Sequence, residues 1–316
     1  MQEIQRKKSK NELLRKKYNM SNLNNIKKVV DGDFCVGCGS CAYLSNTSMK
    51  INEYGEYIPQ LDLMENTDSA KLDFACPFLN PEQNETVIAK NLFEENTSFD
   101  STLGYYIDTF AGYVKEDKYR ENGTSGGITT WIVTELLKQK IVDAVIHVKE
   151  NKKTNIDEPY YKYAISTTEE EIKYASKTKY HVVEMTQILD LVNKSDKKFV
   201  FIGVPCMCKS IRRLQLLDST LKEKIPFVIS LVCGHLKSIN WSLSLSWGAG
   251  IHPTESSKIQ YRTKGEDIPA RAYVFKVQDK ENKTIQKNSA FVAGGKYNAG
   301  ALMLKGCEYC DDVIGE

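Results

Sequence analysis

Apolar residues fall along this chain in short blocks whose spacing switches between strand-like and helix-like. The run Phe199-Val-Phe-Ile202, closed by Gly203, predicts a buried strand, and a helical pattern follows over residues 207–217. Residues 226–232 read as a second such strand, ending at Cys233, with a helix-like segment over 237–249. Further strands are predicted near 107–114, 142–148, 163–166 and 272–277, and a helix over 128–138. Thr168 and Glu171 form a capping box ahead of another helix. Residues 49–59 read as a short hairpin turning near Gly55. No internal repeat is visible. The alternation of strands and helices from about Gly104 onward predicts a mixed α+β and α/β fold.

The chain has 316 residues, enough for two or three domains, and its net charge of +2 gives no sign of a nucleic-acid partner. No apolar run approaches the roughly 18 residues that a membrane span requires. The start carries Lys7, Lys8, Lys10, Arg15, Lys16 and Lys17 without an apolar segment, so it reads as a solvated basic arm and not a secretory signal. A cytoplasmic location is therefore expected. In a reducing cytosol, cysteines are expected as metal ligands or catalytic groups rather than disulfides.

Nine cysteines are present. Cys35, Cys38 and Cys41 stand in the spacing Cys-x2-Cys-x2-Cys, which is the start of a bacterial ferredoxin run. Ser45 and Asn46 occupy the places of the fourth cysteine and its proline, and Cys76-Pro77 offers a remote fourth ligand. Three closely spaced thiolates suit three corners of one [4Fe-4S] cube, with Gly37 and Gly39 letting the loop wrap it. A structural zinc site, which favours two separated pairs, and a three-iron cluster are the alternatives.

Cys206 and Cys233 fall at the carboxyl ends of predicted strands, the edge where open α/β sheets bind ligands. Cys307 and Cys310 form a Cys-x2-Cys pair near the end of the chain. Either of the first two alone would read as a small buried apolar residue. Cys208 reads as helix packing. Between the two sets lies Gly123-Thr-Ser-Gly-Gly127, ahead of the helix predicted at 128. Glycines and hydroxyls at a helix start make an anion pocket, and an ordinary capped turn is the competing reading. A second hydroxyl and cation cluster, Ser176-Lys-Thr-Lys-Tyr180, reads either as part of a site or as a solvated helix end.

Taken in order, these blocks resemble the coenzyme F-420 hydrogenase and dehydrogenase beta-subunit family of iron–sulfur flavoproteins. The likeness is nearest to bacterial members found with surface-polysaccharide genes, and it spans about residues 30–316. It is carried by the Cys35 triplet, Cys76-Pro77-Phe78, Ala111-Gly112-Tyr113 with Arg120, and Ser125-Gly126-Gly127-Ile128-Thr129-Thr130. It is carried further by Val142-Asp143, Ser176-Lys-Thr-Lys-Tyr180, Gly203-Val-Pro-Cys206 and Val232-Cys-Gly-His-Leu-Lys-Ser238. Ser246-Trp247, Gly250-Ile251, Tyr261-Arg-Thr-Lys264 and Gly306-Cys-Glu-Tyr-Cys-Asp-Asp-Val313 complete it. The resemblance implies FAD beside a cluster, with Ser125, Gly126, Gly127, Thr129, Thr178, Lys179 and Tyr180 near the flavin. It implies Cys206, Cys233, Cys307 and Cys310 as ligands of the flavin-proximal cluster. Relatives with both cysteine sets resemble the plant reductase acting on hydroxymethyl chlorophyll. Family members normally continue for several dozen residues past the last cysteine pair, so a C-terminal truncation is expected here.

These readings divide the chain into a basic arm (1–30), a small ferredoxin-like [4Fe-4S] module (31–92), a polar linker (93–103) and an α/β flavin- and cluster-binding domain (104–316). The expected function is an oxidoreductase with two [4Fe-4S] clusters and FAD. It would take single electrons from ferredoxin or another one-electron donor and reduce a small molecule or an F-420-like acceptor. His181, beside Lys179-Tyr180, is the candidate proton donor. A non-catalytic electron-transfer subunit and a zinc-stapled structural protein are the competing readings, and a homo-oligomer or complex subunit is left open. The sequence carries no G-x-G-x-x-G between strand and helix, so a pyridine-nucleotide fold is not expected.

Overall fold

The computed structural model describes residues 23–153, 155–263 and 274–315. Residues 1–22 of the basic arm, the start of the strand predicted at 272, and Lys264 lie outside the described residues, while the rest of the arm carries most of a helix. In chain order the helices are α1 (Asn24–Asp31), α2 (Ser40–Leu44), α3 (Ser69–Ala75), α4 (Glu85–Phe93), α5 (Tyr119–Asn122), α6 (Ile128–Lys138), α7 (Glu169–Tyr174), α8 (Thr186–Asn193), α9 (Pro205–Leu217), α10 (Ser219–Lys224) and α11 (Ile239–Ala249). The strands are β1 (Met49–Ile51), β2 (Tyr57–Pro59), β3 (Ser98–Asp100), β4 (Gly104–Tyr106), β5 (Ala144–Glu150), β6 (Tyr161–Ser166), β7 (Phe199–Gly203), β8 (Phe227–Ser230), β9 (Ser256–Gln260), β10 (Val274–Asp279) and β11 (Thr284–Asn288).

The central sheet has the order β6-β5-β7-β8. Strands β5, β7 and β8 run parallel, with Val145 opposite Val200 and Phe201 opposite Val228. Strand β6 closes one edge antiparallel. Both faces are covered, which is why β7 is a continuous apolar run. Phe199 and Phe201 pack with Ile188, Leu189, Met207 and Ile211 of α8 and α9. Val200 and Val145 face the other way, onto Val133 of α6 and Ile172 of α7. A second, antiparallel sheet has the order β11-β10-β9. The chain is thus a mixed helix and sheet protein.

Local signals shape the element ends. Pro205 at the start of α9 has a preset φ and gives up only an amide that a first turn leaves unpaired. Ser238 in extended backbone begins α11, so the helix starts two residues later than the pattern from 237 predicts. Thr168 caps α7 by accepting from the Glu171 N–H, while the Glu171 carboxylate accepts from Thr167.

The strand expected over 107–114 is absent. Ile107 and Phe110 are exposed and the backbone there is irregular. The apolar residues suggested a strand, but β4 ends at Tyr106 and pairs only with β3, so nothing continues the ladder. Residues 98–103, read as polar linker, fall within that hairpin.

The first cysteine segment is stitched into the body. The Met185 N–H donates to the Cys38 carbonyl at 3.0 Å, and the Ile239 N–H to the Gly55 carbonyl at 2.8 Å. Lys305 donates to the Gly32 carbonyl at 2.9 Å. Val36, Cys38 and Ala75 belong to the same apolar core as Phe201 and Leu214.

Candidate functional site

Cys35 lies in irregular chain beyond α1, and Cys41 in the first turn of α2. Gly39, at φ +86°, caps that helix in the left-handed region. A Cβ there would stand 2.8 Å from Thr186 Oγ1, so glycine is required on both conformational and steric grounds. Cys76 follows α3. Its Pro77 neighbour disfavours helical backbone, and Cys76 accordingly leaves the helix at φ −73°, ψ 121°. Cys35, Cys38, Cys41 and Cys76 line one cavity with apolar walls from Ile26, Val29 and Met49. Burial, then repulsion from Cys38, pushes the Cys35 thiol up to about 12. The same two causes raise Cys41 and Cys76. The Gly37 N–H donates to Cys35 Sγ at 3.4 Å.

The second set gathers from four places. Cys206 sits in the first turn of α9, off the carboxyl end of β7. Cys233 lies beyond β8 and is held by its N–H to the Val313 carbonyl at 3.0 Å. Cys307 lies in the 3-10 turn Lys305–Tyr309, and Cys310 ends it. Burial raises Cys206 well above its ordinary range, followed by the charges of Cys233, Cys38, Cys307 and Cys310. Cys233 is pushed up to about 12 and Cys307 to about 11, burial leading in both. The Leu236 N–H donates to Cys307 Sγ at 3.3 Å. Cys208 is placed apart, its thiol donating to the Ile229 carbonyl at 3.7 Å.

All nine cysteines are free. Among the described residues, no three His, Cys, Asp or Glu side chains are gathered as a site for a single ion. A cubane offers its irons at separate corners, so thiols around a shared cavity with amides aimed at sulfur match its needs. The donor chemistry of both sets fits the cluster. The two sets border one apolar core, with Cys38 within it and Cys206 and Cys307 packed against it.

The fold also joins the two flavin-candidate segments. Thr124 and Thr178 share a hydrogen bond of 2.6 Å, and Ser176 Oγ donates to the Asn122 carbonyl at 3.0 Å. Ser125, Gly126 and Gly127 lead into α6, whose start has no side-chain cap, with Thr129 in its first turn. Gly127 adopts φ +81°, and a Cβ there would stand 2.5 Å from the Tyr119 carbonyl carbon. Its close approach is therefore to the chain itself. Lys179 donates to the Ala175 and Ser176 carbonyls, and burial lowers it to about 8. A pocket whose charged lining is Lys149, Lys177, Lys179 and Arg262 with one acid, Glu150, opens beside it. Tyr180 packs on Tyr297 at 4.3 Å between ring centroids, and Tyr297 stacks on His235 at 4.1 Å. This aromatic wall runs from the second cysteine set to Lys179-Tyr180. Uncapped amides, cations and an aromatic wall are the groups that an anionic flavin nucleotide needs.

His181 is buried, with Nδ1 3.2 Å from both Ser242 Oγ and Tyr261 Oη. Burial lowers it to about 3, so the ring is neutral at neutral pH. This environment suits a group that orients Tyr261 better than one that donates a proton.

The sequence reading missed Tyr297 and Arg213. Arg213 falls on the buried face of α9 with Ile211 and Leu214, and a charge at a core position was the available signal.

Two family models match the chain. The N-terminal model of the coenzyme F420 hydrogenase/dehydrogenase beta subunit matches residues 109–190, and the C-terminal model matches residues 196–316. No curated protein matches. Among solved structures, the chain is similar to one from the xenon-derivatised F420-reducing [NiFe] hydrogenase complex of Methanosarcina barkeri. That likeness has 19% identity, covers 69% of this chain and 70% of that chain, and has a TM-score of 0.48. The two family matches together take in most of the described structure, including the second cysteine set and both flavin-candidate segments, and the chain belongs to the coenzyme F420 hydrogenase/dehydrogenase beta-subunit family.

Proposed function

We propose that the chain is an iron–sulfur flavoprotein oxidoreductase that passes single electrons from a ferredoxin-type donor, by two [4Fe-4S] clusters, to FAD for two-electron reduction of a small acceptor. The family assignment supports an oxidoreductase role in electron transfer. The observation that carries the finer reading is the grouping of eight buried or half-buried cysteines into two sets that border one apolar core, Cys38 within it and Cys206 and Cys307 packed against it.

The clusters supply one-electron transfer and the flavin joins it to hydride chemistry when bound. The chain's share is ligation, orientation and exclusion of water. Cys35, Cys38, Cys41 and Cys76 would hold one cluster, and Cys206, Cys233, Cys307 and Cys310 the other. Ser125, Gly126, Gly127 and Thr129 offer the start of α6 to the flavin's phosphates. Thr178 ties that turn to Lys179, which contributes a cation, while Tyr180 and Tyr297 form the aromatic wall facing the second set.

Anaerobic purification with iron, sulfide, zinc and flavin analysis tests the proposal. The expected result is brown protein with near-equal iron and sulfide, and bound flavin reduced quickly by ferredoxin and poorly by NADH. Stoichiometric zinc without sulfide would sink it. The family's description as a beta subunit favours one second reading, an electron-transfer subunit that works only with a partner enzyme. Clusters and flavin without turnover in isolation would select it.

A further inference from the structure

Helix α9 carries two features seven positions apart. Cys206 lies in its first turn, and Arg213 lies two turns further along the same helix. Arg213 is 1% exposed. Its Nη1 donates to the carbonyls of Phe74 at 3.2 Å, Leu79 at 2.8 Å and Cys76. Its Nη2 donates to the carbonyls of Asn80 at 3.1 Å and Gln83 at 2.6 Å. All of these acceptors belong to the short stretch that presents Cys76.

Carbonyl oxygens satisfy donors but do not neutralise a charge. A buried cation is costly unless an anion compensates it. The acidic groups facing Arg213 are Cys76, Glu85 and Glu82. Glu85 is already paired with Lys209, and Glu82 is exposed. The Cys76 carbonyl is itself one of the five acceptors, so the guanidinium lies against the residue that this loop gives to the first set.

We infer that Arg213 is a positioning residue for the first cysteine set: it clamps the loop that presents Cys76 and holds a buried positive charge behind the cluster ligated there. This inference rests on the proposed cluster function. It also explains how one helix serves both sets, giving a ligand to the second and a clamp to the first.

The test compares the full chain with Arg213→Gln, Arg213→Lys and Cys76→Ser. Three quantities are read: the electron paramagnetic resonance signal of the reconstituted protein, the midpoint potential of each cluster, and the rate of Cys76 alkylation in apoprotein by mass spectrometry. Arg213→Gln is expected to show a three-iron signal resembling that of Cys76→Ser. The four-iron fraction that remains should have a lower midpoint potential, because a positive charge that favoured the reduced form is gone. Cys76 alkylation should quicken about tenfold, the scale of losing one charge-assisted hydrogen bond. The second cluster should keep its signal and potential, which reports an intact fold.

Arg213→Lys keeps the charge and loses the fork. It should share the three-iron signal while holding the parent's potential in its four-iron fraction, and it decides the clamp if Arg213→Gln does not fold. Parent-like nuclearity, potential and alkylation in whichever of the two variants folds would overturn the inference. A parent chain without iron and sulfide would overturn the cluster function instead, and the alkylation rates would still judge the clamp.

Discussion

The hydroxyls of Thr124 and Thr178 stand 2.6 Å apart across a sequence gap of 54 residues. That bond closes the Gly-rich turn before α6 onto the segment holding Lys179 and Tyr180. Thr178→Val should therefore cost about 1 kcal/mol of stability. On the proposed function it should also lower the flavin-to-protein ratio. Chemical denaturation and flavin absorbance measure the two effects separately, and parent values in both would show that the bond joins nothing of consequence.

Gly127 yields a second expectation that needs no ligand. Its φ of +81° and the Tyr119 carbonyl carbon 2.5 Å from a virtual Cβ leave no room for a side chain. Gly127→Ala should destabilise the apoprotein by about 1–3 kcal/mol, the scale of forcing a side chain into a sparsely allowed backbone region. An unchanged melting temperature in apoprotein would contradict this, and flavin loss in such a variant would follow from the damaged turn.

Cys206 and Cys208 differ by two positions on one helix and by their surroundings. Cys206 senses three other thiols of its set, whereas Cys208 donates to the Ile229 carbonyl. On the proposed function, Cys206→Ser should lose about half the iron, the share of one of two equal clusters. Cys208→Ser should lose none. Iron and sulfide assays on anaerobic protein decide this, and bleaching by Cys208→Ser would mean that the second set is wrongly grouped.

Two buried histidines set an acid limit. Burial lowers both His147 and His181 to about 3. In the unfolded chain each would titrate near its ordinary pKa of about 6.5. Above that pH neither state binds the proton and stability is unaffected. As pH falls from about 6.5 toward 3, only the unfolded state takes up protons, so stability declines. Denaturation midpoints at pH 7 and pH 5 should show this fall, and His147→Asn should make it shallower. Equal slopes in parent and variant would assign the acid sensitivity elsewhere.

The parts of the fold that local pattern controls were legible in the sequence. Phe199-Val-Phe-Ile202 gave β7 because a strand covered on both faces must be apolar at successive positions. Residues 128–138 and Gly55 marked a helix and a hairpin at their observed places. The stretch 107–114 misled because apolar composition does not say whether a neighbouring strand exists to pair with. Cys76 was legible beside the triplet only through Pro77 and the rule that ligands need not be near in sequence. Tyr297 was not legible, since its partners His235 and Tyr180 come from distant segments.

The bond from Met185 to the Cys38 carbonyl, and the shared core beneath it, have a kinetic meaning. They pin the first cysteine segment to the strand-and-helix body at several points, so it does not ride on a tether. Under the proposed function, an electron passing between the two centres meets a barrier of constant width. Solvent viscosity and the length of residues 94–102 then drop out of the internal transfer rate, leaving encounter with the donor as the step that diffusion can slow.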